Sequence, residues 1–356
     1  MPAGIAAPDA GITQEELQLA TRNHGMPLEG LRYDVTPLGM HYLLIHFDIP
    51  AADERTWAVE VGGRVKRPLS LTMNDLKTRP AVTLPVTMEC AGNGRARLHP
   101  RPLSQPWLSE AVGTARWTGT PLAPILDEAG LEADAVELVF RGADHGIQGG
   151  IEHDYERSLT IADATRDEVM LVYEIDGRPL PPQHGFPIRL IVPGWYGMTS
   201  VKWLRSIAAV SQPFDGFQQW AYGLRQREED EGSPVTRMMP RALIIPPGFP
   251  EFFSRLRTVE AGSVRLEGRA WSGWGAVQRV EVSADGGTTW ADAELGEPVG
   301  EHAWRSWTWV WEATPGDHEL TVRATDATGK VQPLDAPWNH HGLSNNSAQR
   351  VPVTVR

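Results

Sequence analysis

The sequence is almost devoid of cysteine, since Cys90 is the only one in 356 residues. A single thiol excludes intrachain disulfides, a four-cysteine zinc site and an iron–sulfur cluster bound by this chain alone. The sequence also lacks a Cys-x-x-Cys-His motif, which excludes covalent attachment of a c-type haem. We therefore expect neither haem nor an iron–sulfur cluster in this chain.

Long apolar runs and a net positive charge are also missing. No apolar run approaches the about 18 residues of a membrane-spanning helix, so we expect no membrane partner. A formal net charge of −12 argues against nucleic acid as the main partner, although a local arginine cluster can still bind a small anion. Residues 1–25 lack the basic and apolar regions of a signal peptide, which predicts a cytoplasmic protein, or a periplasmic one if a leader was removed.

The first part of the chain mixes helix and strand patterns. Leu122–Ala129 predicts a short amphipathic helix that ends at Gly130, and strands are predicted at Val136–Phe140 and Ile188–Val192. This irregular mixture is typical of an α+β domain.

The pattern changes after Pro247, where short alternating segments are separated by turn sequences at Asp285–Gly287, Pro315–Asp317 and Asp326–Gly329. Such spacing predicts hairpins in an antiparallel, immunoglobulin-like β-sandwich. The resulting division is an N-terminal extension (1–20), an α+β domain (21–215), a linker (216–246) and a β-sandwich (247–356).

Alternate tryptophans mark one segment of the predicted sandwich. Trp307, Trp309 and Trp311 fall on one face of a strand. We interpret them as core or interface residues, with sugar binding as the alternative.

The surroundings of Cys90 suggest chemistry. Val82, Leu84, Val86 and Met88 share its parity, so the thiol is predicted on the buried side of a strand end. Three arginines follow, and positive charge favours a thiolate, which is both a nucleophile and a soft metal ligand. A small buried core residue remains the alternative. A cysteine nucleophile would need a histidine base, for which the candidates are His145, His153 and His184.

Several motifs resemble those of a known family. The segment TMECAGNGR resembles the Cys-Ala-Gly-Asn signature of the sulfite oxidase family of molybdenum-cofactor (molybdopterin) oxidoreductases, and residues 184–204 resemble the family's pterin-phosphate segment. RNHG at 22–25, RGAD at 141–144 and YERSL at 155–159 are similar to shorter family segments. The resemblance covers about residues 20–356. It implies an α+β fold, with a mixed α/β molybdopterin-binding domain before an immunoglobulin-like dimerisation domain, and hence a homodimer.

The resemblance also implies roles for individual residues. Cys90 matches the one protein ligand of molybdenum. Arg22, Arg95 and Tyr155 match catalytic and substrate-binding positions, and His340 or His341 stands where sulfite-oxidising members often carry an arginine. The positions that match cofactor contacts are Asn23, His24, Asp144, His184, Arg189, Ser200, Val201 and Lys202, with Ser200 and Val201 expected to offer backbone amides.

The activity implied by the resemblance is oxidation of sulfite to sulfate by oxo transfer on molybdenum-molybdopterin. Without haem in the chain, electrons would pass to an external acceptor such as a cytochrome, as expected of a bacterial haem-free member. Asn345-Asn346 keeps nitrate reduction or another small-substrate oxo transfer open. A zinc hydrolase that uses His145 and His153 is the alternative from a different class, although the sequence lacks a His-Glu-x-x-His motif.

Overall fold

The computed structural model describes residues 4–356, and the first domain contains two five-stranded sheets. Four short α-helices accompany them. The elements are α1 (Gln14–Arg22), β1 (Ala58–Gly63), β2 (Leu69–Thr72), α2 (Met73–Lys77), β3 (Val82–Glu89), β4 (Val112–Pro121), α3 (Ala123–Ala129), β5 (Glu137–Gln148), β6 (Ile151–Thr160), α4 (Ile161–Ala164), β7 (Met170–Ile175), β8 (Arg178–Pro179), β9 (Arg189–Ile191) and β10 (Leu204–Val210). One sheet has the order β2-β1-β10-β5-β6, and the other has the order β3-β4-β7-β8 with β9 beside β7.

Local sequence signals determine several of these elements. Helix α3 buries Ile125, Leu126 and Ala129 and ends at Gly130, whose φ of 69° suits a residue without a Cβ. The predicted helix is therefore confirmed to within one residue. The two predicted strands are also confirmed, as β5 and β9, although β5 is much longer than the predicted segment because it continues into a hairpin with β6.

The second domain is a β-sandwich, as predicted. The elements from residue 216 onwards are α5 (Phe217–Ala221), β11 (Gly223–Leu224), β12 (Ser233–Pro234), β13 (Arg241–Ile244), β14 (Phe249–Pro250), β15 (Arg257–Val259), β16 (Gly262–Trp271), β17 (Val277–Ser283), β18 (Ala291–Asp292), β19 (Glu294–Pro298), β20 (Arg305–Ala313), β21 (Gly316–Asp326) and β22 (Gln349–Val355). The two sheets of the sandwich have the orders β13-β16-β20-β19 and β14-β15-β22-β21-β17-β18. Pairing within them is antiparallel except between β15 and β22.

The tryptophans of β20 belong to the sandwich core. Trp307 and Trp311 are buried, and Trp309 packs against the same cluster. Core packing is therefore confirmed, and the buried rings are not available for sugar binding. The predicted hairpin at Pro315–Asp317 is wrong, because the two strands that it joins, β20 and β21, lie in different sheets.

The predicted domain boundaries need correction at both ends of the first domain. Helix α1 starts inside the supposed extension, and its Glu16 forms a buried ion pair with Arg101. The supposed linker contains α5, which packs against β6, and β13, which is a strand of the sandwich. Both segments are therefore integral parts of the fold.

A buried ion pair joins the two domains beside Cys90. Glu89, the last residue of β3, accepts hydrogen bonds from Arg241 of β13 (2.5 Å) and from the indole N–H of Trp271 of β16 (2.9 Å). The sandwich therefore contacts the end of β3, at the residue that precedes the thiol. Within residues 4–356, no helix is both long and apolar enough to span a bilayer.

Candidate active site

The loop after β3 presents the sulfur of Cys90. Gly92 has no room for a Cβ, which would lie 2.5 Å from Nη2 of Arg95. Asn93 donates to the Glu89 carboxylate (2.9 Å) and accepts from the amide of Ala111 (3.1 Å). The residues of the Cys-Ala-Gly-Asn motif therefore fix the loop and allow the Arg95 side chain to lie against it.

Cys90 is buried, and burial raises the pKa of its thiol. Nearby Arg95 acts in the opposite direction, as do hydrogen bonds to the sulfur from the Gly92 amide and the Trp107 indole. Positive charge does favour the thiolate, as expected, but the effect of burial on the pKa of the thiol is larger. A nucleophilic cysteine needs a lowered pKa and a base, whereas a bound metal ion would itself deprotonate the thiol. The environment therefore favours a metal ligand over a nucleophile.

Two pockets meet at Cys90, and Leu44, His46 and Tyr222 also line both. We call the first the basic pocket. Its other polar lining residues are His41, Tyr42, Asp144, Tyr155, His184, Arg189, Ser200 and Lys202. We call the second the glutamine pocket. Its other lining residues include Arg95, Gln105, Trp107, Gln148, Gln218 and His341.

The basic pocket concentrates buried cations. Arg189 donates to the carbonyls of His184 (3.0 Å) and Ser200 (2.9 Å), and Lys202 donates to the carbonyl of Leu44 (2.8 Å). Burial lowers the pKa of Arg189 to about 10, and burial together with Arg189 lowers the pKa of Lys202 to about 7. Burial also lowers the pKa of His184 to about 2, so its imidazole is neutral. A bound anion would relieve this desolvated positive charge.

Unpaired polar atoms in the basic pocket provide a test of the pterin cofactor. Asp144 Oδ1, Arg189 Nε and His41 Nε2 are buried and have no hydrogen-bond partner within residues 4–356. Asp144 Oδ1 can accept from ring N–H groups, while Arg189 and Lys202 can bind a phosphate. Cys90 offers a soft ligand at the junction of the pockets. These residues therefore fit a phosphate-bearing pterin that carries a metal.

The glutamine pocket is of a different character. Arg95 is its single Lys or Arg among the described residues, and it donates to the carbonyls of His341 (2.9 Å) and Gln105 (3.3 Å). Burial lowers the pKa of His341 and of His46 to about 4, so both rings are neutral. The pocket can therefore hold a small anion through one guanidinium.

Tyr222 is a site residue that no sequence motif indicates. It follows α5 and lines both pockets, its hydroxyl hydrogen-bonds Tyr155, and its pKa is raised to about 12 by burial and then by Cys90. The buried guanidinium of Arg157 lies 5.4 Å from its ring centroid and donates to the Gln218 carbonyl of α5. His41, His46 and Gln218 were missed for the same reason, because none belongs to a motif.

Three predicted residues near the N-terminus line neither pocket. Arg22 is exposed and donates to the Phe47 carbonyl (2.6 Å), so it does not line either pocket, and its predicted substrate contact stays a prediction. The Asn23 side chain donates to the Leu19 carbonyl and to Gln105 and accepts from the Ile45 amide, and its predicted cofactor contact stays a prediction. His24 is exposed, although it lies close enough to lower the pKa of His184 electrostatically. The RNHG segment therefore supports the pockets from outside.

Other predicted residues take different places. Tyr155 lines the basic pocket and not the glutamine pocket, and it donates to the Met198 carbonyl (2.8 Å). His341 lines the glutamine pocket, whereas His340 does not. Val201 packs in the hydrophobic core. The amide of Val201 donates to the Thr199 carbonyl, and the amide of Ser200 donates to the Gly197 carbonyl. Both predicted amide donors therefore already have partners within the protein.

Asn345-Asn346 and His145, the residues that suggested nitrate reduction and zinc hydrolysis, form hydrogen bonds within the protein. Asn345 donates to the Gly94 carbonyl (2.8 Å) and Asn346 to that of Pro240 (3.0 Å), and neither lines the glutamine pocket. His145 is exposed and bonds two neighbouring carboxylates, but within residues 4–356 no three His, Cys, Asp or Glu side chains are grouped as metal ligands. The zinc-hydrolase alternative is therefore unsupported.

Comparison with known proteins agrees with this geometry. Residues 46–218 match the family model described as "Oxidoreductase molybdopterin binding domain", and residues 237–356 match "Mo-co oxidoreductase dimerisation domain". The second match begins ten residues before the predicted start of the sandwich at 247, consistent with the position of β13.

Similar curated proteins include rat mitochondrial sulfite oxidase (Rattus norvegicus), at 34% identity over 90% of this chain and 62% of that protein. Rice nitrate reductase [NADH] 1 (Oryza sativa subsp. japonica) is 33% identical over 90% of this chain and 38% of that protein. The chain thus spans less than two thirds of these relatives.

A similar solved structure is the sulfane dehydrogenase SoxCD from Paracoccus pantotrophus. It has a TM-score of 0.81 and 24% identity, covering 99% of this chain and 94% of that chain, and so supports the fold. The two domain matches, the curated relatives and the thiol between two pockets agree, and the chain belongs to the sulfite oxidase family of molybdopterin oxidoreductases.

Proposed function

We propose that this protein oxidises sulfite to sulfate with a molybdenum-molybdopterin cofactor and passes the electrons to an external acceptor such as a cytochrome. The observation that carries the proposal is the position of Cys90, whose sulfur lies where a cation-rich pocket meets a pocket with a single arginine. The sulfite oxidase relatives support sulfite as the substrate.

The basic pocket would hold the cofactor. Arg189, Lys202 and His184 would surround its phosphate, Asp144 would accept from the pterin ring, and Cys90 would bind the metal. When bound, the cofactor supplies the oxo-transfer and two-electron chemistry that side chains lack. The buried, unpaired atoms of Asp144 and Arg189 would then acquire partners.

Residues of the glutamine pocket would bind and orient the anion. Arg95 would hold it through a charge-assisted hydrogen bond. Trp107 and Tyr222 line the pocket beside the sulfur and would exclude water and restrict the orientation of the bound anion. Arg157 would keep Tyr222 in place through its contact with the ring.

Nitrate reduction is the second candidate, because nitrate reductases are among the similar proteins. The sequence feature that favoured it, Asn345-Asn346, lies outside the glutamine pocket. The deciding experiment assays molybdenum-loaded protein for sulfite oxidation and for nitrate reduction with artificial electron carriers. Sulfite turnover supports the first proposal, and nitrate turnover alone would replace it.

The assembly and location of the protein are further proposals. The match to a dimerisation domain supports a homodimer, which a molar mass from light scattering tests. We also propose a cytoplasmic location, or a periplasmic one if a leader is removed, which fractionation of the native cells tests.

A further inference from the structure

The glutamine pocket contains unsatisfied hydrogen-bond acceptors. His341 is 1% exposed, and its Nδ1 lies 2.9 Å from the carbonyl oxygen of Ala221. A carbonyl oxygen only accepts, so Nδ1 carries the hydrogen and Nε2, on the opposite side of the neutral ring, has a lone pair. Nε2 is buried without a partner among the described residues. His341 therefore requires a donor, not an anion, at this nitrogen.

Gln218 adds a second acceptor. Its Nε2 lies 3.1 Å from Nε2 of His153, which is an acceptor because the other ring nitrogen donates to the Ile151 carbonyl. The same amide nitrogen lies 3.0 Å from Nε2 of His46 and 3.3 Å from Gln148 Oε1, so its two hydrogens are shared among three neighbours. The acceptor nitrogen of His153 places the amide nitrogen on this side, and Gln218 Oε1 is left buried and unpaired within residues 4–356. Two side chains of the pocket, His341 and Gln218, thus each have a buried acceptor atom to which no group of the described residues donates a hydrogen bond.

The charge of the pocket agrees with this pattern. Arg95 is its single lining cation among the described residues, and its Nη2 has no partner there. The other nearby guanidinium groups do not line it: Arg157 lies behind the Tyr222 ring, and Arg225 packs on Trp220. One cation can neutralise a monoanion, whereas a dianion would bring an uncompensated charge into a buried site.

We propose, on the basis of the function proposed above, that the glutamine pocket selects a monoanion that carries a hydroxyl. Arg95 holds the charged oxygen, while His341 Nε2 and Gln218 Oε1 accept hydrogen bonds from the protonated part. For a sulfur oxyacid, the bound form is hydrogensulfite and not the fully deprotonated dianion. An arginine at position 341 would present only donors and would have the reverse preference.

Three unreactive tetrahedral anions can separate the effect of charge on binding from the effect of hydroxyl donors. Dihydrogen phosphate is a monoanion with hydroxyls, perchlorate is a monoanion without them, and sulfate is a dianion without them. Binding of each is measured by calorimetry on molybdenum-loaded protein, in which the cofactor fills the basic pocket, at a mildly acidic pH. Dihydrogen phosphate is expected to bind about tenfold or more tightly than either of the others, because only it satisfies the two acceptors.

Variants of His341 and Gln218 test which side chain is responsible for the preference for a monoanion that carries a hydroxyl. His341→Phe should lower dihydrogen phosphate binding to the level of perchlorate, and His341→Arg should make sulfate the preferred anion. Gln218→Met provides the same test if the His341 variants fail to fold. The matched control is His340→Phe, a neighbouring ring outside the pocket, which should leave all three affinities unchanged.

Two results would overturn the proposal: wild-type protein that binds sulfate as tightly as dihydrogen phosphate, or folded His341→Phe and Gln218→Met proteins that keep the wild-type order. Because the anions do not react, these outcomes are independent of turnover. A molybdenum-loaded protein that lacks sulfite oxidation but prefers dihydrogen phosphate would refute the proposed substrate and keep the pocket's selectivity.

Discussion

The basic pocket and the glutamine pocket share Cys90, Tyr222 and His46 but differ in charge. The basic pocket gathers Arg189 and Lys202, whereas the glutamine pocket has Arg95 and neutral acceptors. This difference in charge suits two ligands, a resident cofactor and a small substrate, that need different strengths of binding. A resident cofactor benefits from many charged contacts that slow its release, whereas tight ground-state binding of a small substrate does not accelerate turnover. The two sites therefore differ in the density of positive charge that lines them.

The largest effect is expected at the residue that both pockets share. Cys90→Ser replaces a soft thiolate ligand with a poorly coordinating hydroxyl. Sulfite oxidation should fall by more than the about 100-fold typical of outer-shell partners of a metal. The measurements are steady-state turnover and molybdenum per chain, with circular dichroism to verify folding. Full turnover in this variant would show that Cys90 is not a required metal ligand and that the two pockets do not act through it.

The next largest effect on sulfite kinetics is expected at Arg95, which lines the glutamine pocket, in comparison with Arg22, which does not. Arg95→Gln should raise KM for sulfite and lower kcat/KM by about 100-fold or more, since it removes the pocket's charged donor. Arg22→Gln is the matched control, and we expect sulfite kinetics close to wild type because Arg22 lines neither pocket. Equal losses in both variants would support the predicted substrate contact of Arg22 and would show that Arg95 is not the single cation at the anion.

A third change is confined to the basic pocket. Lys202→Met should lower pterin content by about 10-fold, since a buried phosphate loses a charged donor. Pterin is measured by fluorescence after oxidative release. The kinetic constants should be unchanged when rates are expressed per molybdenum. A raised KM for sulfite with normal pterin content would show that the two pockets are not separate in function.

The same pocket predicts a pH dependence. Lys202 has a pKa lowered to about 7, so it is charged below that pH and neutral above it, while Asp144, whose pKa burial raises to about 6, becomes negative above that pH. Both titrations make the pocket less positive as pH rises. Pyrophosphate should therefore bind cofactor-free protein more weakly as the pH passes through 6 and 7. Calorimetry should find a smaller dependence for Lys202→Met, and an equal dependence would exclude Lys202 as its source.

The smallest effect distinguishes two tyrosines. Tyr222→Phe should lower kcat/KM for sulfite by about 10-fold, because it removes the hydroxyl of a side chain that lines both pockets together with Cys90. Tyr155→Phe should change it by less, because its hydroxyl is bonded to the Met198 carbonyl within the basic pocket. The opposite ranking would restore Tyr155 as the substrate-side tyrosine.

Much of the fold could be predicted because its signals are local. The helix before Gly130, the strand parity that buries Cys90 and the turns of the sandwich depend on side-chain periodicity and glycine conformation over a few residues. The Cys-Ala-Gly-Asn loop is similar, since Gly92 and Asn93 act on their immediate neighbours. Apart from the hairpin at Pro315–Asp317, these parts of the prediction agree with the structure.

The site itself was predicted only in part. Asp144, His184, Arg189, Lys202 and Arg95 line pockets as the motifs indicated, whereas the RNHG segment matched a short pattern and lies outside. No sequence motif indicated Tyr222 and Gln218, because they come to line the glutamine pocket only when α5 packs against β6.

By itself, the sequence determined that a lone thiol ends a buried strand, that a glycine turn and arginines follow it, and that a sandwich completes the chain. Only the tertiary structure decided which arginines and histidines face that thiol. Periodicity specifies which side of a strand or helix a residue occupies, but a pocket depends on which surfaces pack together across hundreds of residues, as His341 and Arg95 do through a single hydrogen bond. That packing is decided by the burial of the whole core, which no short segment encodes.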